Sequence, residues 1–134
     1  MEGMLRTLFL LLAAAATVAA QRQAFTVETM MKLARISEPV LSPNGQEVAF
    51  TVQTIDLAAN TKPTQIYTVP TAGGRPRQLT NAGSANGRAR WSPDSRLIYF
   101  VSNRGGSSQV WVMNADGSSP RQITRLSTEA SGSD

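Results

Sequence analysis

The passage "SPNGQEVAF" beginning at Ser42 returns as "SPDSRLIYF" beginning at Ser92, and the "PRQLT" that ends at Thr80 returns as the "PRQIT" that ends at Thr124. Such repetition narrows the choice of fold more than composition does. Each copy is one supersecondary unit that cannot bury its apolar face alone, so the copies must stack. Ser42-Pro43-Asn44 lies on Ser92-Pro93-Asp94, Val48 on Ile98 and Phe50 on Phe100, all at an offset of 50. Gln65-Ile66-Tyr67 lies on Gln109-Val110-Trp111, and the closing pentapeptides lie on each other, at an offset of 44. The first copy therefore carries six extra residues in the loop "QTIDLAANTKPT", where an insertion costs little.

Within each copy the apolar period is that of strands. Val48, Phe50 and Val52 alternate with Glu47, Ala49 and Thr51, and "SPNG" before them supplies a tight turn. A second run spans Ile66 to Val69, "PTAGGRP" turns the chain, and "RQLT" makes a short last strand. The runs "EPVL" and "RARW" precede the two Ser-Pro turns, so that Leu41 and Trp91 correspond. Each copy thus encodes four strands in meander order, over 36–80 and 86–124. A repeat of about 40–45 residues with four strands is the pattern of a propeller blade. The fold class expected is all-β: a β-propeller fragment of two four-stranded antiparallel blades. An eight-stranded sandwich or barrel is the competing architecture, but it does not need its second half to repeat the turn chemistry of its first.

Residues 1–20, "MEGMLRTLFLLLAAAATVAA", run from a charged start (Arg6) through an apolar middle to the small residues Val18, Ala19 and Ala20. That is the layout of a secretory signal peptide, with Gln21 left first after cleavage. An uncut membrane anchor is the alternative, but a spanning helix needs about 20 apolar residues and this run is shorter. Over 21–35, Val27, Met30, Met31 and Ala34 fall at i, i+3, i+4 and i+7, giving a short leader helix with Thr26 as N-cap and Pro39 beyond its end. Residues 125–134 read as the start of a further blade or a disordered tail.

The net charge is +4, and 11 of the 13 basic residues are Arg. They are spread along the chain, mostly at turns and strand ends, which fits a solvated rim rather than a nucleic-acid surface. The sequence has no Cys and no His. Disulfides are therefore excluded, and neither a Ser-His-Asp triad nor a histidine-ligated zinc can be built from this chain. Ser42, Ser92, Ser102, Ser107 and Ser108 are assigned to turns or loops, without a base to activate them. Gly73, Gly74 and Arg75 do not follow a buried parallel strand or open a helix, so they are not a phosphate loop. Asp94 and Asp116 read as turn-forming residues, and Trp91 and Trp111 as packing between blades. No catalytic, cofactor-binding or metal-binding residue is assigned, and no cofactor is expected.

The stretch "WSPDSRLIYFVSNRGGSSQVWVMNADGSSPRQIT" resembles the TolB-type propeller repeat, departing from it at Ser95, where that repeat usually has Gly. The preceding "FTVETMMKLARISEPVLSPNGQEVAFTV" and "DLAANTKPTQIY" are similar to the N-terminal region of exported bacterial serine peptidases of the prolyl oligopeptidase family, notably acylaminoacyl-peptidase-like and dipeptidyl-peptidase-like members. The resemblance covers Phe25 to about Gly132. It implies a noncatalytic propeller that gates and selects short peptides for an α/β-hydrolase domain in a periplasmic or secreted parent. The partners implied are that C-terminal hydrolase domain, the remaining blades and short peptides, with no nucleic acid and no membrane after signal cleavage. There is no G-x-S-x-G nucleophile motif in the sequence, so the chain alone is expected to be inactive. The alternative reading is a TolB-like binding module for periplasmic protein partners. Two blades alone are further expected to leave outer residues such as Phe50, Trp91 or Phe100 partly uncovered.

Overall fold

Turn chemistry sets the strand boundaries. In each copy a Ser-Pro turn closes on itself: Gly45 N–H donates to Ser42 O and Ser95 N–H to Ser92 O, at 2.8 and 2.9 Å. The chain then reverses into an alternating run that pairs back antiparallel. The computed structural model describes residues 34–127. It contains eight strands: β1 (Arg35–Leu41), β2 (Glu47–Gln53), β3 (Thr64–Pro70), β4 (Arg77–Gln78), β5 (Asn86–Trp91), β6 (Leu97–Ser102), β7 (Gln109–Asn114) and β8 (Arg121–Gln122). They form two four-stranded antiparallel sheets, in the orders β1-β2-β3-β4 and β5-β6-β7-β8.

Register confirms the sequence alignment. Phe50 lies opposite Tyr67 and Phe100 opposite Trp111, while Val48 faces Val69 and Ile98 faces Met113. The six extra residues form a small loop of their own, in which Asp56 and Thr61 bridge and Asp56 Oδ1 accepts from Ala59 N–H.

The first strand of each sheet carries the same irregularity. Between Ser37 and Val40, and again between Gly87 and Arg90, three steps on one strand oppose two on its partner, which is a one-residue bulge. Glu38 and Arg88 stand in these bulges with left-handed backbones, φ 53° and 54°.

The core sits between the sheets. Ala49 and Ile66 of the first sheet, with Leu79, meet Ile98, Phe100 and Met113 of the second, and Trp91 and Trp111 pack against the cluster. β5, the first strand of the second sheet, lies against β1, β2 and β3 of the first, and Gly117 of the second blade comes close to Leu79 of the first.

Three sequence expectations are corrected. Arg35, placed at the end of the leader helix, is the first residue of β1, and the strand begins three residues before the "EPVL" run because the bulge interrupts its alternation. Ser102 is not in a loop but is the buried last residue of β6. Phe100 and Phe50 are not uncovered, since Phe100 fills the core and Phe50 is packed on Tyr67 with ring centroids 6.0 Å apart. The signal segment 1–20, the leader helix up to residue 33 and the tail from residue 128 lie outside the described residues.

Candidate functional site

The seam between the blades gathers the polar side chains that the strands bring together. A cleft of about 250 Å³ opens there, lined by Glu38, Thr51, Thr64, Asn86, Gly87 and Arg88 among others. Glu38 Oε2 accepts from Thr51 Oγ1 and from the backbone N–H of Arg88, both at 2.9 Å. One carboxylate oxygen thus ties β1 to its own sheet and to the next one. Gly87 permits this approach, because a Cβ there would stand 3.1 Å from Glu38 Oε2.

Next to it, the buried Asn86 donates through Nδ2 to Thr64 O, Gln65 Oε1 and Ala82 O, and its Oδ1 accepts from Arg104 Nη2. Trp91 Nε1 donates across the seam to Val40 O at 3.1 Å. Asn44 N–H donates to Ser95 Oγ of the other blade at 3.0 Å.

The serines serve turns and strands. Ser42 Oγ donates to Asn44 Oδ1 at 2.7 Å and accepts from Glu47 N–H, and Ser92 Oγ does the same with Asp94 Oδ1 at 2.6 Å and Leu97 N–H. Ser102 Oγ accepts from Arg104 N–H and Nε, and Ser107 Oγ accepts from Gln109 Nε2. Ser108 borders the cleft. In none of these contacts does a serine meet a group able to take its proton at neutral pH.

The Ser92 hydroxyl, with the Arg96 N–H, holds the Asp94 carboxyl below its ordinary pKa. The Ser118 hydroxyl and N–H do the same for Asp116. Both aspartates are turn anchors at exposed hairpins, and no group of three or more His, Cys, Asp or Glu side chains is placed to hold a metal among the described residues. The Gly73 N–H is spent on Pro70 O, within the turn formed by "PTAGGRP".

Trp91 spans the seam. Trp111 stacks under Arg104, whose guanidinium lies 5.0 Å from the Phe100 ring centre and 5.1 Å from that of Trp111. Burial there pulls the Arg104 pKa below its usual value. Trp111 Nε1 is buried without a hydrogen-bond partner among the described residues.

Sequence reasoning overlooked Glu38, Asn86, Gly87 and Arg104. A signal for the first was present, since "SEP" and "GRA" occupy the same place in the two copies, but its hydrogen-bond partner is 50 residues away.

Comparison with known proteins agrees with this architecture. The chain is 37% identical over 85 residues to dipeptidyl-peptidase 5 of Porphyromonas gingivalis, a stretch that is 63% of this chain but 12% of that protein. It therefore spans a small part of the length of this relative. Among solved structures, the putative TolB from Agrobacterium tumefaciens matches at 31% identity with a TM-score of 0.54, covering 69% of this chain and 32% of that one. The AtxE2 isopeptidase matches with a TM-score of 0.65 at 20% identity, covering 76% of this chain and 20% of that one, which is a likeness of fold. The family model described as TolB beta propeller domain matches residues 16–133. Repeat, register and blade seam agree with that match, and the chain belongs to the TolB beta propeller domain family.

Proposed function

We propose that this chain is the noncatalytic propeller portion of an exported serine peptidase of the prolyl oligopeptidase family, in which the ring of blades gates and selects short peptides for a separate hydrolase domain. The observation that carries this reading is the likeness to dipeptidyl-peptidase 5, which involves the blade-forming repeat while leaving most of that peptidase unmatched. The chemistry of the chain fits such a division of labour. Ser42 and Ser92 are held in turns and Ser102 in a strand, and the sequence has no histidine. A role in access fits the architecture too, because β1 and β5 are neighbours as the first strands of their sheets and would border the central passage of a closed ring of blades.

The test is the gene downstream of the codon for Asp134. The proposal expects more Ser-Pro-Asp repeats, then a G-x-S-x-G motif followed by Asp and His. Repeats that end without these would overturn it in favour of a binding module. The purified chain itself should not hydrolyse dipeptidyl chromogenic substrates. Turnover that persists through repurification and disappears on mutating one of its serines would contradict that expectation.

A further inference from the structure

We infer that Glu38 is the key that sets the second blade onto the first, and that it fits this seam alone. Its carboxylate is the acceptor for one donor from each blade, Thr51 Oγ1 and Arg88 N–H, at 2.9 Å each. Glu38 reaches both from a left-handed bulge, a conformation that non-glycine residues adopt at a cost and keep only where neighbouring contacts hold it. The Arg88 N–H is presented by a second left-handed bulge, and Gly87 keeps the approach clear of a Cβ.

The repeat shows that the device does not recur. Arg88 stands where Glu38 would be in the second blade, and Val101 stands where Thr51 would be. That blade offers neither the acceptor nor the hydroxyl to whatever follows it. Nor can the first blade of another copy take the place of the second. Ile36, Leu41 and Gly45 occupy the positions of Asn86, Trp91 and Ser95, so the side-chain donors to Gln65 Oε1 and Val40 O, and the Ser95 hydroxyl that accepts from Asn44 N–H, would all be absent. The seam is thus coded for one order of blades, which guards a repeat protein against pairing its copies wrongly.

This inference goes beyond the peptidase reading and does not depend on it, since its test reads backbone exchange and not hydrolysis. Amide hydrogen exchange is followed on the full chain and on its Glu38→Ala, Glu38→Gln, Thr51→Val and Gly87→Ala variants. A hydrogen bond to a charged acceptor corresponds to about tenfold in local opening when buried, and solvent lowers this to about threefold for the exposed Glu38 carboxylate. In Glu38→Ala the Arg88 amide should therefore exchange about threefold faster, while the β6–β7 hairpin amides keep their rates. Glu38→Gln should retain most of the protection, because its amide oxygen still accepts. Gly87→Ala should speed exchange at Arg88 in the wild-type background and have no such effect once Glu38 is Ala. An Arg88 amide indifferent to Glu38→Ala, or a Gly87→Ala effect equal in both backgrounds, overturns the inference. Should Glu38→Ala fail to fold, Thr51→Val leaves the backbone untouched and still removes one of the two ties. A smaller rise at Arg88 is then expected, and unchanged exchange overturns the inference as well.

Discussion

Ser42 and Ser92 make the same turn with different partners, and the difference is one of charge. Ser42 bonds to an amide oxygen, whereas Ser92 bonds to a carboxylate held below its ordinary pKa by that hydroxyl and the Arg96 N–H. A depressed carboxylate contributes stability that is present above its unfolded pKa of 3.8 and lost as pH falls through the lower folded value. The same sign applies to Asp116. Thermal unfolding followed from about pH 6 to about pH 2 should show stability falling at the acid end. Asp94→Asn should flatten part of that fall, because it installs the amide already used at Asn44, and adding Asp116→Asn should flatten more. An acid limb unchanged in the double variant would contradict this. Backbone conformation supplies a second expectation at this scale. Gly117 has φ 87°, and a Cβ there would come within 2.9 Å of Leu79 O in the other blade. Gly117→Ala should cost about 1–3 kcal/mol. Gly45→Ser should cost less, because Ser95 already adopts the equivalent turn at φ 61°. Denaturant midpoints of the two variants measure the difference.

The shortest elements depend most on side chains. β4 and β8 are two residues each, too short to be held by backbone pairing alone, and the following Thr fixes them. Thr80 Oγ1 accepts from Ile66 N–H and donates to Gln65 Oε1, and Thr124 Oγ1 repeats this with Val110 and Gln109. Thr80→Val keeps the shape but leaves the Ile66 amide unpaired in the core, at about 1–3 kcal/mol. Thr124 is less buried, so Thr124→Val should cost less. Urea unfolding of the two variants checks the order, and equal losses would count against it. These outer strands were legible only because "RQLT" and "RQIT" repeat; two residues carry no period. β2, β3, β6 and β7 were legible from alternation itself, as in Val48, Phe50 and Val52. β1 was legible only in its second half, because a bulge shifts the apolar phase and the helical spacing that ends at Ala34 runs up to its first residue. Ser102 read as loop because "SNRGG" is polar and glycine-rich, a composition that gives no sign of a strand end buried at the seam. Of the seam itself, sequence showed Trp91 but not Glu38, whose role arises from two left-handed bulges that no local pattern announces.

For the molecule as a whole, the described residues close the seam between the two blades and leave apolar side chains of β1 in solvent. Phe100 is 1% exposed and lies in the core, so Phe100→Ala should cost about 3–5 kcal/mol, a large share of the stability of a small domain. The apolar surface left in solvent is elsewhere. Ile36 and Leu41 on β1 are 66% and 58% exposed, and register places them on the same face as Val48, Val52 and Val69, which are half-buried. An apolar face beside a strand edge favours association. The seam code argues that such association is not an ordered head-to-tail ring, because the first blade lacks the donors that the second uses. We therefore expect concentration-dependent, heterogeneous self-association in light scattering coupled to size exclusion. The double variant Ile36→Lys, Leu41→Lys should reduce it without lowering the unfolding midpoint, since both side chains are already in water. If the unmodified chain runs instead as a monodisperse monomer and unfolds in one sharp transition above about 65 °C, two blades are sufficient and the open face needs no partner.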